Sequence, residues 1–216
     1  MILCNKCSKF GLEYKNTNLN SPADFIEGNL DAKIWIIGLN PKTNPNQIFD
    51  PSYEDLRNFN PNQHNYFKDF KKVSKKLYNN WENKNSKTAH TDLVKCGSSE
   101  FPPSHPITSS KLSNKETNEI ISNCFEHLKN QLVEHKPLLL ICNGSFTSET
   151  IFNFFVPDDS SIVSSRQIGC YESTFEGHTF RIILSGFIGR IDDWSKRRLG
   201  LEIENAIDEL GINLIN

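Results

Sequence analysis

Three short apolar runs constrain the fold more than any other feature of this chain. They are KIWIIG at 33–38, LLLIC at 138–142 and FRIIL at 180–184. None alternates with polar residues. Each ends at a turn signal: Gly38, Asn143-Gly144 and Ser185-Gly186. Short unbroken runs of this kind suit strands covered on both faces, as in parallel sheets. A weaker fourth candidate is TDLVK at 91–95. Helical patterns fall between the runs. Phe67, Phe70, Val73, Leu77 and Trp81 mark one face of a helix over 66–81. The clearest helix is 114–135, with a capping box at Ser113 and Glu116 and a stop at Pro137. Residues 145–155 and 201–210 are predicted helices too. Strands alternating with helices give an α/β fold, expected as a three-layer α/β/α arrangement around a central four-stranded, mostly parallel sheet.

At 216 residues, one domain over 1–216 is expected. No apolar run approaches the length that crosses a bilayer, so no membrane partner is expected. The opening MILCNKCSKF has no basic stretch leading into a long apolar run, and a cytoplasmic location is expected. The net charge of -2 gives no global sign of nucleic-acid binding. Two local basic clusters do stand out. One is Lys68, Lys71, Lys72, Lys75 and Lys76, read as a solvated helix face. The other is Arg190, Lys196, Arg197 and Arg198, just beyond the last strand and suited to phosphate contacts.

Six cysteines in a reducing compartment argue for metal or catalysis rather than disulfides. Cys4-x-x-Cys7 can chelate one centre from a tight turn, and zinc, an iron–sulfur cluster and a redox dithiol all use that spacing. A pair so placed needs distant partners. Cys96 and Cys124 stand in recognisable contexts; Cys142 and Cys170 read as small buried hydrophobes.

Those contexts carry a resemblance. TDLVKCGSS (91–99) is similar to the T-N-x-V-K-C-R-P-P segment of the iron–sulfur uracil-DNA glycosylases. Glu119 to Cys124, then Leu128 and Gln131, resembles that family's E-x-x-x-C-x-x-x-L-x-x-Q helix. The resemblance implies a [4Fe–4S] cluster on Cys4, Cys7, Cys96 and Cys124, DNA as partner, a monomer, and hydrolysis of a base–sugar bond. GLNP at 38–41 resembles the first catalytic motif of the mismatch-specific and single-strand-selective branches, which implies that Asn40 holds the attacking water. A flipped base needs an aromatic to stack on, and Phe67 or Tyr66 is placed to serve.

Three departures matter. The loop between the last two cysteines is longer, with 27 residues between Cys96 and Cys124. The base-reading Asn is replaced by Asp92. An amide both donates and accepts, as uracil requires; an ionised carboxylate only accepts, which suits the amino group of a cytosine-like base. The His-Pro-Ser motif expected after the last strand is missing, leaving His178 and Arg190 as candidate substitutes. A catalytically altered DNA-binding relative and a structural zinc protein are the rival readings.

Overall fold

The apolar runs form the centre of a six-stranded sheet in the computed structural model, which describes residues 1–43, 49–81 and 85–214. The strands and α-helices follow in chain order. A hairpin of β1 (Ile2–Cys4) and β2 (Tyr14–Asn16) precedes β3 (Glu27–Gly28) and β4 (Ile34–Gly38). Next come α1 (Tyr53–Arg57), α2 (Asn65–Lys68), α3 (Phe70–Val73) and α4 (Lys75–Trp81). Then follow β5 (Thr88–Asp92), α5 (Asn114–His135), β6 (Leu139–Asn143) and α6 (Ser145–Phe154). The hairpin β7 (Cys170–Phe175) and β8 (His178–Ser185) leads to α7 (Asp193–Glu209).

The large sheet runs β3-β5-β4-β6-β8-β7. Its inner four strands are parallel, as expected. Two antiparallel edge strands extend it, so the expected four strands become six. The edges escaped the sequence reading for opposite reasons. β3 has two residues, too few to show a period. β7 alternates buried and exposed positions, which is the signature of an edge strand rather than of a doubly covered one.

Side chains alternate across the sheet and divide the core in two. Trp35, Ile37, Leu140 and Ile182 face α5, α6 and the N-terminal hairpin. Ile34, Ile36, Leu139 and Ile183 face α3, α4 and α7. This is the expected three-layer α/β/α sandwich.

Three boundaries differ from expectation. The strand placed at 91–95 lies at Thr88–Asp92, where Thr91 and Ala89 pair with Ile37 and Trp35 of β4. The single helix over 66–81 is broken into α2, α3 and α4. Ser74, at φ -145, interrupts it, and its hydroxyl accepts from Leu77 N at 3.1 Å and donates to Glu204 at 2.6 Å. The break lets α7 pack against α3 at backbone distance: a Cβ on Gly200 would stand 1.9 Å from the Val73 carbonyl oxygen. The helix expected at 201–210 begins earlier, because Asp192 caps it by accepting from Ser195 N at 2.7 Å. Its first turns are polar and carry little periodic signal. The helix over 114–135 is as expected, with Ser113 and Glu116 forming the capping box and Lys136 in the left-handed region before Pro137.

Candidate active site and cysteine cluster

The C-terminal ends of parallel strands are where α/β folds place their ligands. Here the ends of β4, β5, β6 and β8 surround a cavity of about 740 Å³. Asn40, Asp92, Tyr66, Phe67 and Arg190 all line it. The sequence named these five from separate segments, and the fold brings them together.

Asn40 follows β4 directly. Its Nδ2 donates to the Ser98 hydroxyl at 2.9 Å and to the Pro41 carbonyl at 3.1 Å. Its amide oxygen has no protein donor among the described residues. The amide is therefore fixed by its nitrogen, which leaves the oxygen as an open acceptor. Ser98 is held in turn by a bond to the Glu100 carbonyl at 2.6 Å, and it bridges to Lys42.

Asp92 is the last residue of β5 and is 4% exposed. Residues two apart share a strand face, so His90 lies beside it. His90 Nε2 is 3.6 Å from Asp92 Oδ1, and His90 Nδ1 is 2.6 Å from Glu27 Oε2 on the neighbouring edge strand. Gly38 opposes Asp92 across the ladder. A Cβ there would stand 2.2 Å from Asp92 Oδ1 and 2.8 Å from His90 Nε2. The glycine that ends the KIWIIG run is thus required by close approach, not by its backbone angles.

Burial pushes the Asp92 carboxyl up to about 6, with His90 pulling it down and Glu27 pushing it up. For His90, burial opposes the charge, but Asp92 and Glu27 outweigh it and the imidazole is raised above its ordinary value. The two groups therefore favour each other's charged forms: the imidazole pulls the Asp92 carboxyl down, and the carboxylate pushes the imidazole up. The signal for His90 and Glu27 was partly present in the sequence: AHTD places a histidine two residues before Asp92. Starting the strand at Thr91 removed it from view. Glu27 has no sequence signal, because β3 is too short.

The aromatic wall differs in detail from expectation. Phe67 reaches the cavity but is 5% exposed. It is wedged at 4.8 Å from the His90 ring, 4.9 Å from Trp81 and 5.2 Å from Phe59. It is a floor residue. Tyr66 is half-buried, and its ring is 5.5 Å from Phe187. Asn143, at the end of β6, donates to the Tyr66 hydroxyl at 2.8 Å and accepts from Ile188 N at 2.9 Å. It therefore fixes both the tyrosine and the loop after β8. Neither Asn143 nor Phe187 was singled out from the sequence.

The two candidates for the missing histidine part company. His178 lies at the start of β8, the far end of the strand, and its Nε2 contacts the Pro137 carbonyl at 2.7 Å. It is not at the cavity. Arg190 is exposed at the rim, its guanidinium carbon 6.0 Å from the Phe187 ring centre. Of the basic residues after β8, Arg197 and Arg198 are also exposed. Lys196 is not: it is 5% exposed and its Nζ lies 3.4 Å from Asp69 and 3.8 Å from Asp193. That leaves it out of any exposed phosphate-binding row.

On the opposite face of β5 lie the cysteines. Cys7, Cys96 and Cys124 are buried in one apolar cluster, and Cys4 packs against it. The Cys7 and Cys124 thiols are close enough to influence each other's ionisation, as are those of Cys124 and Cys96. Asn123 Nδ2 donates to Cys7 Sγ at 3.5 Å. Among the described residues, no group of three or more His, Cys, Asp or Glu side chains is arranged to hold a metal ion. Thiolate sulfur is the donor chemistry that suits a soft metal centre, and Cys7, Cys96 and Cys124 share one cluster with Cys4 against it; Cys142 lies in that same cluster, and Cys170 packs against the other one. Burial raises the Cys170 thiol to about 11, as suits an inert packing residue.

The turn after β5 joins the two faces. Lys95 is 1% exposed, and its Nζ donates to Thr91 Oγ1 and the Asp92 carbonyl at 2.6 Å each, and to Gln131 Oε1 at 2.8 Å. Burial pulls its ammonium down to about 7. Three acceptors need three N–H groups, which only the ammonium provides. Gln131 then donates to the Ala23 and Phe25 carbonyls at 2.7 and 3.0 Å. One buried lysine thereby pins Asp92 to the helix that carries Cys124.

Residues 25–188 match the model of the uracil DNA glycosylase superfamily. The chain belongs to that superfamily. Its members are generally DNA glycosylases, and DNA is the partner that membership leads one to expect. No curated protein matches the chain. Among the described residues, no helix is long and apolar enough to cross a membrane.

Proposed function

We propose that this superfamily member is a monofunctional DNA glycosylase acting on a modified, cytosine-derived base. The observation that carries it is the convergence of Asn40 and Asp92 on one cavity, with the amide oxygen of Asn40 left to accept from a water. The flipped base enters between Tyr66 and Phe187, with Phe67 beneath. Asp92, as an anion, accepts from the exocyclic amino group. A water held by Asn40 adds through oxygen to the sugar C1′. The bond from C1′ to the base nitrogen breaks and its electron pair leaves with the base; the added water loses one proton to solvent, and a solvent proton neutralises the departing anion. Arg190 at the rim supplies positive charge while that anion forms.

The iron–sulfur branch is the part of the superfamily that best suits the cysteines. Cys4, Cys7, Cys96 and Cys124 would hold a [4Fe–4S] cluster. When bound, it serves as a structural cross-link between the N-terminal hairpin, the turn after β5 and α5. We read the chain as a monomer.

A panel of duplexes carrying uracil, cytosine or 5-substituted cytosines tests the reading by release of free base. Excision of a substituted cytosine is expected, and Asn40→Ala should slow it by about 10²–10³-fold, the usual worth of one positioning group. Activity on uracil alone would overturn the cytosine assignment. One observation favours a second reading, a DNA-binding member without catalysis: the loop after β8 presents Phe187 and no histidine. Tight binding to abasic or modified DNA with no base released anywhere in the panel would establish it.

A further inference from the structure

The cavity holds a buried arrangement that water positioning and base stacking leave unused. Glu27, His90 and Asp92 line it together, and they come from two strands. The Glu27–His90 contact is short, at 2.6 Å, and His90 is 3% exposed. Among the described residues His90 Nε2 has no hydrogen-bond partner; Asp92 Oδ1 lies 3.6 Å from it. The ring is clamped in place by Phe67 at 4.8 Å and Tyr66 at 6.1 Å. Arg57 fixes the Glu27 edge by donating to the Gly28 carbonyl at 3.0 Å and to the Ile26 carbonyl at 2.5 Å. Gly38 leaves room for Asp92 and His90 to meet. A packing histidine needs none of this.

We propose that Glu27 and His90 form a relay onto Asp92 that sets whether Asp92 presents an acceptor or a donor to the flipped base, and so whether the cavity takes a 4-amino or a 4-keto pyrimidine. This rests on the glycosylase reading above. Glu27 and His90 act through Asp92 and are positioning residues. With His90 charged, Asp92 stays an anion and accepts from a 4-amino group. Once protonated, Asp92 donates, which suits the O4 of a 4-keto base.

The other groups facing Asp92 are few. Lys95 bonds its carbonyl oxygen, and the Tyr66 phenol on α2 is pushed above its usual range by burial and by Asp92. His64, Lys42, Glu100 and Arg190 line the same cavity. The sign follows from the charges. Asp92 sits near 6 with His90 holding it down. Lowering the pH through that value neutralises it. Replacing His90 by an uncharged residue raises it further.

Single-turnover excision from duplexes carrying matched 4-amino and 4-keto pyrimidines, with the same 5-substituent, measures the relay across pH 5 to 8. In the wild-type protein the amino-to-keto preference is expected to fall as pH drops through about 6, by up to tenfold per unit. His90→Gln, which keeps hydrogen-bonding groups but not charge, should move that inflection upward by about one unit. Asp92→Asn should favour the keto base and flatten the profile. A preference that ignores pH, or an inflection that His90→Gln leaves in place, overturns the relay while the glycosylase reading survives. Should the wild-type protein release no base, that reading fails, and imidazole NMR alone judges the relay. His90 holding its proton above the ordinary histidine range, and losing it sooner in Asp92→Asn, supports the relay; an ordinary or lowered titration overturns it.

Discussion

Thr91 and Asp92 are neighbours in the chain, yet they look into opposite halves of the molecule. Thr91 faces α5 and the cysteines; its hydroxyl donates to the Phe25 carbonyl at 2.7 Å. Thr91, Lys95 and Gln131 bond one another there, and most of what surrounds them is apolar, although Tyr14 Oη and His127 Nε2 in that half have no partner among the described residues. Asp92 faces the cavity beside an imidazole with an unpartnered nitrogen and a carboxylate two strand positions away. One half is built to be inert and the other holds charges in a poised state. Satisfied polar networks stabilise, whereas perturbed titratable groups in a cleft mark sites of chemistry. The strand period of two lets a single five-residue strand serve both.

The largest expected effect falls on the inert half. Cys124→Ser should abolish bound iron and the broad visible absorbance of the purified protein, while Cys142→Ser, in the same core cluster, should leave both intact. Equal iron in the two variants would sink the ligand assignment. Zinc in place of iron would preserve the ligands but not the cluster.

A sharper version of the comparison uses one residue from the join and one from the cavity. Lys95→Met removes three donors from buried acceptors on both sides of β5. It should cost about 3 kcal/mol in denaturant unfolding, since each orphaned polar group costs about 1–3 kcal/mol. It should also lower iron retention and excision together. Gly38→Ala pushes only into the cavity side, against Asp92 Oδ1. Overpacking costs about 1–3 kcal/mol. Excision should fall at least tenfold with iron content unchanged. If Gly38→Ala also released iron, the two halves would not be separable as drawn.

What was legible in the sequence follows the same division. The inner strands, α5 and its caps were readable because doubly covered strands and a long amphipathic helix leave strong local patterns. That Cys4, Cys7, Cys96 and Cys124 come together was readable because their contexts are motif-like. The cavity was readable at Asn40 and Asp92, where a motif residue stands at a strand end, and in part at Tyr66, Phe67 and Arg190. His90 was lost to a boundary drawn three residues late. Glu27 belongs to a two-residue strand that tertiary pairing alone defines. Asn143 and Phe187 act through Tyr66, a contact across 77 residues that no local pattern reports. The helix over 66–81 failed for a related reason. Its apolar spacing is helical throughout, but Ser74 leaves the helix to bond Glu204 of α7, a contact across 130 residues that no local pattern reports.

The smallest effect concerns the basic residues after β8, where burial makes a distinction that charge counting cannot. Arg197 and Lys196 are adjacent in sequence, and both were read as phosphate contacts. Arg197 is exposed, whereas Lys196 is engaged with Asp69 and Asp193 beneath the surface. Each phosphate neutralised contributes about -0.9 to the slope of log affinity against log salt on duplex DNA. Arg197→Ala should therefore weaken DNA binding a few-fold and reduce that slope by about 1. Lys196→Met should leave the slope unchanged and instead lower the unfolding free energy, because Asp69 loses its partner. Salt titrations of both variants on one unmodified duplex separate these outcomes. An equal loss of slope in both would mean that α7 shifts on binding DNA and frees Lys196.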